Sequence, residues 1–261
     1  MKVLLTNDDG IQAEGIQTLR RTLSKIADVT VVAPSYERSA TGHGITVHKP
    51  IRAEKVRLKG SEGDNWSVVG TPADCVKLAL ETLLKEPPDL IVSGINHGAN
   101  LGTDVLYSGT VSAAIEGMIN GLPSVAVSLY DDAVVDFTFA ANFTAKLCTL
   151  LRLKGFPPST LLNVNIPDSE ADAIKGVRIT KLGSRHYINT VECRKDPRGR
   201  EYFWLAGDVV NQEGDGDTDV DAVKNNYVSV SPIHFDLTNY KVLDTVRTWG
   251  FETLIDKISP N

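Results

Sequence analysis

Three polar clusters in this sequence carry side chains able to do chemistry. The first, Asn7-Asp8-Asp9-Gly10, sets two carboxylates side by side at a turn. Adjacent carboxylates repel, and a bound cation lets both stay charged; the competing use is that one caps the next helix while the other faces water. The second, Ser35-Tyr36-Glu37-Arg38-Ser39-Ala40-Thr41-Gly42-His43-Gly44, mixes small hydroxyls with glycines that let backbone approach a ligand, and its Arg38 and His43 can neutralise an anion. The same composition also makes an ordinary polar loop. The third runs from Ser93-Gly94-Ile95-Asn96-His97-Gly98-Ala99-Asn100-Leu101-Gly102 to Tyr107-Ser108-Gly109-Thr110. Asn96 offers an uncharged oxygen to a hard cation, and Ser108-Gly109-Thr110 places hydroxyls and free N–H groups at a helix start, where phosphate is stabilised. The plainer use of Ser108 or Thr110 is as a helix cap. Oxygen donors without clustered thiolates or metal-spaced histidines favour Mg²⁺ or Mn²⁺ over structural zinc. A cation beside a phosphate-binding helix end points to phosphoryl chemistry, in which the metal polarises a phosphoryl oxygen and acidifies a bound water.

These clusters need elements to hold them, and the hydrophobic pattern supplies a β-α-β series. Lys2 to Thr6 reads as a short strand, and Ile16, Leu19, Leu23 and Ile26 then recur at helical spacing. Asp28 to Ala33 is a second strand stopped by Pro34. Ile45 to Leu58 alternates apolar and charged residues, and Trp66 to Val69 is another strand candidate. Thr71-Pro72-Ala73-Asp74 is a helix start, with a capping threonine, proline at the first helical position and a carboxylate at the third; the helix is expected to reach Leu84. Asp89 to Ser93 and Ser124 to Leu129 read as strands buried on both faces of a parallel sheet, with helices over Thr110 to Asn120 and Val134 to Leu153. The predicted fold is α/β, a three-layer sandwich around a mostly parallel, Rossmann-like sheet.

The second half reads differently. Leu161 to Ile166, Val177 to Leu182 and Tyr227 to Ser231 are strands, and Tyr187 to Leu205 is a hairpin turning at Asp196-Pro197-Arg198-Gly199. Gly207 to Asp221 reads as a loop in which Thr218 or Asp219 caps a helix, and Val242 to Ile258 as a terminal amphipathic run. Tyr202-Phe203-Trp204 cannot all face one core on an alternating strand, so another subunit is expected to cover part of the hairpin. The chain is expected to be a single domain, with a core over about 1–170 and a smaller C-terminal portion over about 171–261, holding the hairpin and a terminal helix.

Composition narrows the function classes. The 27 Lys and Arg against 33 Asp and Glu leave a net charge of −6, which argues against binding of nucleic acid polymers. No run approaches the ~18 uncharged apolar residues of a membrane span. The apolar start is cut by Asn7-Asp8-Asp9 before a secretory signal forms, so the mature chain is expected to begin here. Cys75, Cys148 and Cys193 are an odd, scattered set, which fits a reducing cytoplasm. The P-loop and dinucleotide fingerprints are missing. Asp215, Asp217, Asp219 and Asp221 alternate as in a calcium loop, but Val220 and Asn226 stand where glycine and glutamate belong. His48, His186 and His234 lack metal-ligand spacing.

Taken together, L-L-T-N-D-D-G at the N-terminus, P-x-x-x-R-S-A from Pro34 to Ala40, V-x-G-T-P-A-D-C from Val68 to Cys75, S-G-I-N-x-G-x-N from Ser93 to Asn100, Y-S-G-T-V-x-A-A from Tyr107 to Ala114, and T-D at Thr218 followed by Y-V-S-V-S-P from Tyr227 to Pro232 span most of the chain. In this order they resemble the SurE (survival protein E) nucleotidases. The resemblance implies a metal-dependent phosphatase releasing phosphate from nucleoside 5′- and 3′-monophosphates, and in some members from short polyphosphate. It implies one divalent cation per subunit on Asp8, Asp9, Ser39 and Asn96, and homodimers or homotetramers held by the C-terminal part. Ser39, Asn100, Ser108, Gly109 and Thr110 are then expected at the phosphate, and His43 or His97 at the leaving alkoxide, with no choice between the two histidines. Two readings from other classes stay open: a receiver-like phosphoacceptor, disfavoured because Ser93-Gly94 ends the strand where an acceptor aspartate belongs, and a noncatalytic nucleotide-binding protein.

Overall fold

In a computed structural model, residues 1–61, 63–130, 136–169, 172–188, 190–205, 207–211 and 216–254 are described. A nine-stranded sheet forms the centre: β1 (Lys2–Thr6), β2 (Asp28–Pro34), β3 (Ala53–Val56), β4 (Asn65–Val68), β5 (Leu90–His97), β6 (Ser124–Tyr130), β7 (Leu161–Pro167), β8 (Gly176–Ile179) and β13 (Tyr227–Ile233), in the order β3-β4-β2-β1-β5-β6-β7-β13-β8. The run from β4 to β7 is parallel; β3 and β13 join antiparallel to β4 and β7, and β8 runs parallel to β13. Helices α1 (Glu14–Leu23) and α4 (Thr138–Lys154) cover one face, and α2 (Pro72–Leu78) and α3 (Gly109–Ile119) the other. The three-layer α/β expectation holds.

Alternation within the strands produces the two cores. Val3 and Leu5 join Leu19, Leu23 and Ala141 on the α1/α4 side, while Leu4 between them joins Cys75, Val76 and Ala113 on the α2/α3 side. The start of α2 is as expected: Thr71 Oγ1 accepts from the Asp74 N–H at 3.0 Å, and the Asp74 carboxylate accepts from the Thr71 N–H at 2.9 Å. One wider, π-type turn over Ala79–Leu83 carries that helix to the expected end.

Four expectations are corrected. Within Ile45 to Leu58 only Ala53–Val56 forms a strand, because β4 offers a four-residue edge and the Thr46 N–H is taken by the Asp74 carboxylate at 2.9 Å. The strand expected over Val177 to Leu182 is Gly176–Ile179. The hairpin is longer than expected: β10 (Val191–Lys195) pairs with β11 (Glu201–Leu205), and outside them β9 (Arg185–Ile188) pairs with β12 (Asp208–Asn211), so the start of the expected loop after Gly207 is a strand. Its turn is set by Asp196, whose carboxylate accepts from the Arg198 and Arg200 N–H groups at 2.8 and 2.9 Å. The terminal run is α6 (Tyr240–Arg247), closed by Thr248, and a short 3₁₀ turn that starts after Gly250, which adopts φ +70°. Val134 and Val135, Asp215, and residues 255–258 lie outside the described residues.

Tyr202, Phe203 and Trp204 are all solvent-exposed on β11, and α6 buries none of its residues in this chain. Cys75 and Cys148 are buried, Cys193 is exposed, and all three are free. Among the described residues no helix is long and apolar enough to cross a membrane.

Candidate active site

The chain lays β1 beside β2, adds β4 on that side, then returns to place β5 on the other flank of β1. The crevice between β1 and β5 is thus the point where the winding reverses, the usual ligand position in an open parallel sheet. Asp8 and Asp9 leave the carboxyl end of β1, the Ser35–Gly44 loop leaves β2, and Asn96 and His97 end β5. Parallel pairing puts all three ends on one edge. Main-chain bonds lock them together: the Arg38 N–H donates to the Asp8 carbonyl at 2.7 Å, and the Gly42 N–H to the Tyr107 carbonyl at 3.0 Å. Ala40 is held at φ +54°, in the left-handed region disfavoured for a residue with a Cβ, beside Ser39.

Asp8 is 5% exposed and accepts a short hydrogen bond from the Thr110 hydroxyl at the start of α3. Gly109 permits this approach, since a Cβ there would sit 2.7 Å from the Asp8 Cβ and 2.8 Å from its Oδ2. Burial pushes the Asp8 carboxyl up, against the lowering effect of the Thr110 bond. Asp9 is pushed to about 6, first by burial and then by the Asp8 charge; the His97 N–H, 3.3 Å from its Oδ2, offsets part of this. Asn96 donates its Nδ2 to the Gly98 carbonyl at 2.6 Å, which fixes the amide and leaves Oδ1 as the atom available to a ligand. Ser39 Oγ donates to Glu37 at 2.6 Å and keeps lone pairs for an acceptor role. Among the described residues no three His, Cys, Asp or Glu side chains gather at one point. The donor set here is two repelling carboxylates, an amide oxygen and a hydroxyl, whose all-oxygen chemistry fits a hard divalent cation.

A cavity of about 840 Å³ opens over this edge. Asp8, Ser39, Asn96, His97, Asn100 and Ser108 line it; Asp9, Gly109, Thr110 and His43 do not. Ser108 caps α3, its Oγ accepting from the Val111 N–H at 3.1 Å. Asn100 sends its Nδ2 to Ser128 at 2.8 Å. His43 is turned to α3, with Nε2 2.9 Å from a Glu116 carboxylate held below its usual range chiefly by that bond.

Sequence reasoning passed over several supporting residues. Asn165 accepts from the Asn100 N–H at 2.8 Å, and Asn163 donates to the Asn100 carbonyl at 2.8 Å. The signal was available, for Asn163-Val164-Asn165 on a buried strand puts two amides on one face. Part of the pocket's wall, Asp104, Tyr107, Tyr187 and Leu205, comes from the 3₁₀ segment Gly102–Leu106, the residue after it and the hairpin. Asp219, fully buried, accepts from the Gly102, Gly183 and Val220 N–H groups at 2.8–2.9 Å and ties that wall to the sheet, while Thr218 caps α5 (Asp219–Lys224). Nothing local in the sequence marks these long-range contacts.

Residues 3–189 match the family model "Survival protein SurE". "5'-nucleotidase SurE" of Heliobacterium modesticaldum is 55% identical, over 95% of this chain and 92% of that protein, and its namesake in Moorella thermoacetica is 57% identical over 92% of both. The crystal structure of SurE from Aquifex aeolicus superposes with a TM-score of 0.83 at 40% identity, covering 95% of this chain and 99% of that one. With a family match over most of its length, relatives above half identity and the same fold, the chain belongs to the SurE family.

Proposed function

We propose that this chain is a 5′-nucleotidase that hydrolyses nucleoside monophosphates to nucleoside and phosphate, using a divalent cation, Mg²⁺ or Mn²⁺, held by Asp8, Asp9, Ser39 and Asn96. The observation that carries this reading is that Asp8, 5% exposed and adjacent to a second carboxylate, lines one cavity with Ser39 and Asn96 at the carboxyl edge of the sheet. When bound, the cation supplies charge neutralisation on the phosphate and acidifies a coordinated water. The chain's own contribution is position and charge. The amino end of the 11-residue α3 lends its positive dipole end to the phosphate, next to Ser108, Gly109 and Thr110. Thr110 acts through Asp8, orienting its carboxylate, and Asn100 presents its buried amide at the pocket floor. His97 lines the cavity and is assigned the proton for the leaving alkoxide; His43, engaged by Glu116, supports α3 instead.

The same reading includes 3′-monophosphates as substrates and short polyphosphate as a further one, since the phosphate end alone meets the catalytic groups. The exposed aromatic hairpin and unburied α6 are read as the surface for a second copy of the chain, giving a homodimer or homotetramer in a reducing cytoplasm. Light scattering tests the assembly, and a single 28.3 kDa species rejects it. Phosphate release from a panel of 5′- and 3′-nucleoside monophosphates, with Mn²⁺ or Mg²⁺ and with EDTA in parallel, tests the activity. Release abolished by EDTA is expected. A folded, metal-supplied protein that binds AMP without releasing phosphate rejects hydrolysis in favour of binding alone.

A further inference from the structure

The groups assigned to the phosphate and cation make up only part of the cavity's lining. Besides these groups the cavity is lined by two tyrosines, Tyr107 and Tyr187, that are 65% and 44% exposed although both line the same 840 Å³ space. Aromatic faces left open inside a cavity offer a planar ligand a stacking surface that is indifferent to which base it receives.

Tyr187 is also held in place. Arg185, two residues before it on β9, is paired with Asp104 at 2.6 Å, both partners being largely buried. The Arg185 carbonyl accepts from the Thr103 hydroxyl at 2.6 Å, binding β9 directly to the Gly102–Leu106 segment. Behind them the Asp219 carboxylate joins the Gly102 and Gly183 N–H groups. Gly102 allows that contact, because at its φ of +53° a Cβ would lie 2.6 Å from the Gly183 carbonyl oxygen. A ring carried on a strand tied down at these points is already in place before a ligand arrives, so less ordering accompanies stacking on it.

We propose that Tyr187 determines leaving-group specificity: its ring, with Tyr107, receives the nucleobase, and the Asp104–Arg185 pair holds the strand that carries it. This rests on the nucleotidase reading above and adds that the hairpin, rather than the metal end of the site, makes the enzyme prefer nucleotides to other phosphate monoesters.

The test compares 5′-AMP with ribose 5-phosphate, which keeps the sugar and phosphate but lacks the base. The ratio of kcat/KM values and, independently of turnover, the ratio of affinities by calorimetry are measured for the wild type, Tyr187→Phe and Tyr187→Leu. Tyr187→Leu is expected to lower the preference for AMP about tenfold, the range of one base–aromatic stack, with the change in KM rather than kcat. Tyr187→Phe keeps the ring and is expected to retain most of the preference. An unchanged ratio in Tyr187→Leu, or equal losses on both ligands, overturns the proposal and leaves the nucleotidase reading standing. If the wild type releases phosphate from neither compound, that reading fails, while the affinity ratios still decide whether Tyr187 stacks a base.

Discussion

Replacing Asp9 by Asn tests whether the metal end of the site is held together against its own charge. In the metal-free protein the Asp9 carboxyl is raised from 3.8 to about 6 by burial and by Asp8. The folded chain therefore holds a proton that the unfolded chain has already released between those values. Stability is fully present below about pH 4, is lost as pH rises through 6, and stays lowered above it. At 1.36 kcal/mol per pH unit the difference amounts to about 3 kcal/mol. Solvent at this partly buried carboxylate, and the weaker bond an amide accepts from the His97 N–H, reduce the expected gain of Asp9→Asn to about 1–2 kcal/mol. In a protein of this size that is a rise in Tm of about 3–6 °C. The assay is thermal unfolding in EDTA at pH 8 and pH 4.5. The variant is expected to melt higher than wild type at pH 8 and within about a degree of it at pH 4.5, while Mn²⁺ raises the wild-type Tm more than the variant's. A variant no more stable at pH 8, or equally stabilised at both pH values, would falsify the view that like-charge crowding at Asp8 and Asp9 is relieved by a cation.

Three further perturbations reach other parts of the site. Gly109→Ala inserts a Cβ 2.7 Å from the Asp8 Cβ, so it is expected to cost about 1–3 kcal/mol and to weaken the Tm rise on adding Mn²⁺; an unaltered rise would show that Asp8 has room to move. His97→Ala is expected to lower kcat on AMP by about 100-fold but far less on 4-nitrophenyl phosphate, whose leaving group needs no proton; equal losses on both would remove His97 as the acid. Asp219→Ala leaves three backbone N–H groups without their carboxylate and is expected to cost at least about 3 kcal/mol in urea unfolding, a loss under 1 kcal/mol meaning that water replaces it.

What the sequence disclosed follows the range of the interactions involved. β1, β5 and β6 were readable because strands buried on both faces must be continuously apolar, and the start of α2 because Thr71 and Asp74 close a capping box within four residues. The strand ends, and with them Asp8, Asp9 and Asn96 as candidates, followed from that, whereas Ser39 was singled out only by the resemblance to the family's motifs. Residues 45–52 misled because alternation reports a half-buried strand only where a neighbouring strand is free to pair; here the loop's polar groups turn to Asp74 and Gly44 is bonded by Thr71. Arg185 was silent because its partner Asp104 lies 81 positions away, and Asp219, legible only as a cap and within the Thr218-Asp219 motif, gave no sign of its contact with Gly102, 117 positions away.

The division of labour in the pocket has a physical basis in that same contrast. The groups proposed to meet the phosphate and cation must be fixed closely, and most of them sit at the ends of adjacent parallel strands whose register is set by two buried cores. Of the two tyrosines proposed to meet the leaving nucleoside, Tyr187 is carried on β9 of a hairpin whose strands β10 and β11 are exposed throughout and whose attachment runs through a few polar bonds, at Asp219, Thr103 and Asp104. Changes in such an element leave the cores untouched, so leaving-group preference can vary while the metal end keeps its geometry. Loosening the hairpin by Arg185→Leu, which leaves Asp104 without its ion-pair partner, is therefore expected to raise KM for AMP severalfold with a smaller change in kcat. If kcat falls in step with kcat/KM while KM holds, the hairpin and the strand ends act as one unit, and the separation argued from the packing is wrong.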